Sequence, residues 1–181
     1  LQKARQYDLK VIAGFWVNHD LDFTSPDVRA NLIEEFKDYV DTFKDDPALL
    51  MWGLSNENNT HFCSQAKFSC NRESQAKAFY QLINAMARAA HEIEGTAFHP
   101  VMVIHSELGD IGKKDFSAND DSLAFVDVHG VNAYRGKKFG EGPASIFREF
   151  ANRSKKPMMI TEFGADAWFT KDPKNPKDGE E

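Results

Sequence analysis

Five short apolar runs, separated by stretches with helical patterning, constrain this 181-residue chain more than any other feature. They are Leu9 to Val17, Leu49 to Leu54, Val101 to His105, Phe125 to Val131 and Met158 to Phe163. Most are continuous and do not alternate between apolar and polar residues. That is the pattern of parallel strands covered on both faces. Pro47, Pro100 and Pro157 stand just before three of the runs. A proline there ends the preceding element and favours an extended start to the next.

The intervening segments read as helices. Ser25-Pro26-Asp27 combines a capping hydroxyl, a proline in the first turn and an acid at the positive helix end. Leu32, Phe36, Val40 and Phe43 then succeed one another at spacings of four and three, which places them on one helical face. A second helix is predicted from about Arg72 to Glu94, with Phe79, Ile83, Met86, Ala90 and Ile93 on one face and Gly95 to end it. A third is predicted over about Ala144 to Ser154. Strand, helix, strand repetition implies right-handed crossovers and an α/β fold with a parallel sheet. Ser106 to Ala124 is polar with no helical pattern, and Thr170 to Glu181, almost wholly charged or Pro/Gly, reads as a loop or frayed tail.

Composition excludes some functions. There are 22 basic and 28 acidic side chains, for a net charge of -6, so the basic footprint of a nucleic-acid binder is missing. No apolar run approaches the ~18 residues that span a bilayer. No phosphate loop, dinucleotide motif or nucleophile elbow occurs, and the six histidines lack metal-ligand spacing. We therefore expect no cofactor, no metal, no nucleic-acid partner and no membrane. Cys63 and Cys70 share one polar loop and read either as a local disulfide or as two free thiols. With the sequons Asn58-Asn59-Thr60 and Asn152-Arg153-Ser154, they lean towards an extracellular or secretory-pathway protein. The opening Leu1-Gln2-Lys3-Ala4-Arg5, with neither Met nor leader pattern, reads as an internal segment or processed product.

Parallel α/β folds gather their chemistry at the carboxyl ends of strands. Here those ends are Asn18-His19-Asp20, Ser55-Asn56-Glu57-Asn58-Asn59, His105-Ser106-Glu107, Asn132-Ala133-Tyr134-Arg135 and Glu162-Phe163-Gly164. Glu57 and Glu162 stand out, because a carboxylate in or beside an apolar strand is costly unless paired or used. Two facing carboxylates are the equipment of glycosidic bond cleavage, one holding a proton for the leaving oxygen and the other ionised. In that chemistry Asn56 would bind a sugar hydroxyl and Tyr134 would donate a hydrogen bond to ionised Glu162. Trp168 is a candidate stacking platform, whereas Trp52 reads as structural. Asn132, His129 and His19 complete the candidate substrate-binding set, with His129 either a hydrogen-bonded core residue or a wall of the site.

Three stretches carry a family resemblance. Leu50-Met51-Trp52-Gly53-Leu54-Ser55-Asn56-Glu57 resembles the acid/base strand of clan A glycoside hydrolases. Met159-Ile160-Thr161-Glu162-Phe163-Gly164-Ala165 resembles their nucleophile strand, and Asp127-Val128-His129-Gly130-Val131-Asn132-Ala133-Tyr134 the strand between. Their order, with the glutamates 105 positions apart, is most similar to the barrel domain of glycoside hydrolase family 2. The resemblance implies a (β/α)8 TIM barrel, with strands three to seven in this chain and the first residues ending its second helix. It also implies a catalytic domain over residues 1–169, with the tail 170–181 after it. It implies a retaining glycosidase without metal in the chemistry, acting on a β-glycoside or an oligo- or polysaccharide. Glu57 would be the acid/base and Glu162 the nucleophile. Asn58 stands where the family usually has proline. A transglycosylase using the same glutamates, or an inactive carbohydrate-binding remnant, are the alternatives.

Overall fold

The computed structural model describes residues 1–64, 66–136, 139–140, 142 and 145–164. Its elements in chain order are α1 (Gln2–Gln6), β1 (Val11–Phe15), α2 (Pro26–Phe43), β2 (Leu49–Leu54), α3 (Asn58–His61), α4 (Arg72–Glu94), β3 (Val101–Ser106), β4 (Val128–Ala133), α5 (Ile146–Ala151) and β5 (Met158–Phe163). The helix starts behave as their chemistry dictates. The Ser25 hydroxyl accepts from the Val28 amide at 3.5 Å, with Pro26 in the first turn, and Asn71 accepts from the Ser74 amide at 2.9 Å. Gly95 ends α4 at φ 70°, a conformation that glycine adopts without a Cβ penalty.

The five strands form one sheet in the order β1-β2-β3-β4-β5, and every pairing is parallel. This corrects the expectation of a (β/α)8 TIM barrel. Among the described residues β1 and β5 each pair with one neighbour only, so these five strands form an open, curled half-barrel and not a closed ring. The physical reason is strand number: closing a parallel barrel takes eight tilted strands, and five twisted strands curl without meeting.

The helices cover one face. Phe15 on β1 packs on Phe36 and Tyr39 of α2, and fully buried Trp52 on β2 meets the same two rings. The indole N–H of Trp52 donates to Glu94 at 3.3 Å, and Glu94 also receives the His99 amide at 2.8 Å. α4 buries Phe79, Tyr80, Leu82, Ile83 and Met86 in the same core. Each such side chain contributes about 1.5–3 kcal/mol by leaving water. A second cluster joins Val131, Ala133 and Ile160 to Ile146 and Phe150 of α5. The other face of the sheet carries Ile12, Met102, Ile104 and Thr161 around Gly53 and Gly130. A Cβ at Gly130 would lie 2.9 Å from the Met102 sulfur and 3.0 Å from Thr161 Cγ2, so close side-chain approach requires glycine there.

β4 begins three residues later than its apolar pattern predicts. Phe125 and Val126 precede the ladder and pack on α4 instead, where the Phe125 amide donates to Asn84 at 2.9 Å. The Asp127 carboxylate accepts from the Val101 amide and also lies 2.9 Å from His91 Nε2. Cys63 and Cys70 form a disulfide that closes the loop before α4. The first asparagine of the Asn58-Asn59-Thr60 sequon is buried, and its side-chain amide donates to the Val17 carbonyl at 2.9 Å, so it is engaged within the fold. Asn152 is exposed at the end of α5.

Candidate active site

The carboxyl end of β2 reverses sharply. Ser55 has φ 64° and Glu57 has φ 55°, both in the left-handed region that non-glycine residues rarely occupy. Neighbouring strands hold this turn in place, the Ser55 amide donating to Phe15 O at 3.0 Å and the Glu57 amide to Ile104 O at 3.2 Å. Two buried carboxamides fasten the start of α3. Asn58 reaches Val17 at the end of β1. Asn59 makes a two-way bond with the Ser106 backbone at the end of β3, 2.8 Å in each direction. The α3 turn after Glu57 is thus stapled on both sides, and such strain persists only where the surroundings impose it.

Asn132, buried at the end of β4, is the centre of the arrangement. Its side-chain N–H donates to Glu57 Oε1 at 2.9 Å and to Asn56 Oδ1 at 3.2 Å. Its oxygen accepts from the Thr161 hydroxyl at 2.6 Å. In register Asn132 stands opposite Glu162, whereas Val131 stands opposite Ile160, so Thr161 is the extra residue of a bulge in β5. A bulge breaks side-chain alternation and re-aims the next residue. Glu162 then accepts the Tyr134 hydroxyl at 2.7 Å through Oε2. Both glutamates are part-buried, and Tyr134 is about half exposed. Glu57, Asn56, Asn132 and Thr161 therefore form one hydrogen-bonded network, and Tyr134 with Glu162 a second pair, joined to it along β5 by the adjacency of Thr161 and Glu162.

Other candidates lie apart. His19 stacks on His61 of α3, with ring centroids 4.5 Å apart, and its Nε2 is 3.4 Å from Asp20. His129 is fully buried on the helix-covered side, its Nδ1 3.1 Å from His105 Nε2 and its ring against Phe150. Of its two expected roles, the structure gives it the core one. Trp168 and the tail 170–181 lie outside the described residues. Trp52 is core.

Sequence reasoning missed Thr161 as a partner, and it missed an ionic cluster beside the site. Arg135 grips Glu107 in a fork, Nε to Oε1 at 3.0 Å and Nη2 to Oε2 at 2.6 Å, and also meets Glu149 at 2.9 Å. The Arg135 guanidinium holds the Glu149 carboxyl below its ordinary range, while Glu107 pushes Arg135 further above its own. Only adjacency to Tyr134 and to the end of β3 signalled these residues in the sequence. Among the described residues no group of three or more His, Cys, Asp or Glu is placed to hold a metal ion, and no helix is long and apolar enough to cross a membrane.

A parallel α/β sheet with a polar cluster at its carboxyl ends is the class of architecture that these observations define. No protein-family model and no curated protein matches the chain. Among solved structures it is similar to a beta-glucuronidase of Bacteroides uniformis, at 18% identity and a TM-score of 0.52, over 82% of this chain and 18% of that one. It is also similar to a GH2 beta-galacturonidase from Eisenbergiella tayi, bound to galacturonate, at 16% identity and a TM-score of 0.46, over 82% of this chain and 24% of that one. A beta-galactosidase from Bacillus circulans sp. alkalophilus is similar at 14% identity and a TM-score of 0.47, over 77% and 29%. The first of these is a likeness of fold, and the chain spans less than a third of the length of each of the three.

Proposed function

We propose that this chain carries the two carboxylates of a retaining β-glycosidase. The observation that supports this best is the side-chain connection from Glu57 through Asn132 to the Glu162 strand, with Tyr134 bonded to Glu162 itself. The fold likeness to a beta-glucuronidase and the three strand motifs point the same way. Glu162 is the nucleophile. It attacks the anomeric carbon as ionised carboxylate, forming an ester bond to the sugar while the glycosidic C–O bond breaks. Glu57 gives its proton to the leaving oxygen, then takes one from the water that hydrolyses the ester and restores Glu162.

In this reading the surrounding groups orient the pair. Tyr134 keeps one Glu162 oxygen occupied and leaves the other to react. Asn132 fixes Glu57 and steadies Asn56, which binds a sugar hydroxyl next to the reacting carbon. Trp168 serves as a stacking platform for a sugar ring, and His19 binds substrate. The substrate is a β-glycoside or an oligo- or polysaccharide. The Cys63–Cys70 disulfide favours an oxidising, extracellular or secretory compartment.

The test uses the full polypeptide that carries this chain and a panel of aryl β-glycosides. Glu162→Gln abolishes turnover of every substrate. Glu57→Ala preserves the first step for leaving groups that need no proton and stops it for poor ones. Normal turnover by Glu162→Gln, or a first step slowed equally for good and poor leaving groups by Glu57→Ala, contradicts the assignment.

A further inference from the structure

Tyr134 lies just past the end of β4, on a segment that must be held still if its hydroxyl is to stay 2.7 Å from Glu162. Its ring runs along Gly164, where an added Cβ would come within 3.4 Å of it. The next residue, Arg135, supplies the anchor. Its guanidinium is forked onto Glu107, at the end of β3, and bonded to Glu149 on α5. One arginine thus ties three elements together around the tyrosine. Some other ion pairs, such as Lys37 with Glu34 or Arg88 with Glu92, join a helix only to itself.

Glu107 is itself held in an unusual state. Its φ is 54°, in the left-handed region, and its amide donates to Asn132 O at 2.9 Å. Ser55, Glu57 and Glu107 share this conformation at the ends of two adjacent strands. Strained non-glycine residues that persist in this way cluster at functional sites. The Glu107 backbone therefore touches the residue that orients Glu57, while its side chain grips the neighbour of the residue that orients Glu162.

We infer that Glu107, acting through Arg135, is a positioning residue for the Tyr134–Glu162 pair. The inference rests on Glu162 being the nucleophile. Glu107 touches no substrate. It fixes the strand that carries Tyr134, so its loss changes the reactivity of Glu162 rather than the affinity for sugar. A planar guanidinium forked on a carboxylate fixes direction as well as distance, which a lysine in its place cannot do.

The experiment measures covalent labelling of Glu162 by a panel of dinitrophenyl fluoroglycosides, read by peptide mass spectrometry, together with steady-state turnover. In the parent enzyme one probe labels Glu162. Glu107→Gln slows that labelling about tenfold and lowers kcat with little change in KM, the mark of an interaction expressed in the transition state. Tyr134→Phe slows it as well. The double variant is no slower than Tyr134→Phe alone, because both changes act through one group. Glu107→Asp, which keeps the charge, recovers part of the rate. Arg135→Lys gives the same non-additive pattern and replaces Glu107→Gln if that variant fails to fold.

Full-rate labelling in folded Glu107→Gln overturns the inference, and so do losses that multiply in the double variant. Absence of Glu162 labelling in the parent enzyme with every probe overturns the nucleophile reading, and the inference with it. That failure is recognisable because it needs no variant.

Discussion

The buried histidine pair makes the fold acid-sensitive by an amount that the structure sets. His129 is fully buried, and burial pushes its imidazole down from 6.5 to about 4. Lys156 pushes the same way, and Asp120, with its Oδ1 3.8 Å from His129 Nε2, opposes without winning. His105 is buried beside it and also pushed well down, by burial and by His129. Its other nitrogen faces Tyr80 at 3.3 Å, and Asp110 and Arg72 lie near that tyrosine. Only one proton fits between the facing nitrogens of His105 and His129, 3.1 Å apart. A second proton must break that bond.

The depressed value belongs to the folded state, so between about pH 6.5 and pH 4 the unfolded chain binds the extra proton and stability falls as pH falls. Above pH 6.5 both states are neutral at this site and nothing is lost. The loss from His129 grows to about 3 kcal/mol below pH 4, and about 2 kcal/mol of it appears between pH 7 and pH 5. With a urea slope of ~2 kcal/mol per molar, the midpoint drops by about 1 M over that interval. The assay is urea unfolding at both pH values, in the parent protein and in His129→Gln, which keeps a donor and an acceptor but cannot titrate. Between pH 7 and pH 5 the variant's midpoint falls by about 1 M less than the parent's, the remaining shift belonging to His105, whatever the variant's stability at pH 7. Equal midpoint shifts in the two proteins would refute the reasoning.

Packing and connectivity give three further expectations. Gly130→Ala forces Met102 and Thr161 apart and destabilises the protein by about 1–3 kcal/mol in chemical denaturation; an unchanged midpoint contradicts the close approach. Replacing Cys63 and Cys70 by serine opens an eight-residue loop and costs about 2–3 kcal/mol by the chain-entropy relation, measurable as a lower melting temperature. Asn132→Ala leaves Glu57 and Thr161 without their shared partner, so turnover falls at least tenfold while circular dichroism keeps its folded signature; parent-like turnover removes Asn132 from the site.

The strand cores and the long helices are legible in the sequence because each is written in local pattern. Pro26, Asn71 and Gly95 bound their helices by chemistry visible within four residues. The number of strands in the finished sheet is a different kind of property. A parallel strand looks the same in an open half-barrel as in a closed ring, so the strand motifs lead to a barrel that five strands do not close. The start of β4 is obscured because Phe125 and Val126 are apolar for a helix-packing reason. Glu57, Glu162 and their Asn and Tyr neighbours are visible as polar residues ending apolar runs. The β5 bulge that sets Glu162 opposite Asn132 is not visible, because it is a register relation between two strands. Nor is the Arg135 fork, whose partner Glu107 lies 28 positions away. His129 sits in a strand with two possible faces, and only the α5 packing decides between them.

The central claim is that Glu162 is the nucleophile, and covalent trapping tests it most directly. A fluoroglycoside with a good leaving group, incubated with the full polypeptide and digested for mass spectrometry, should leave one sugar on the peptide containing Glu162. The label should be absent from Glu162→Gln. A sugar carried by a different residue, or persisting in Glu162→Gln, would contradict the account.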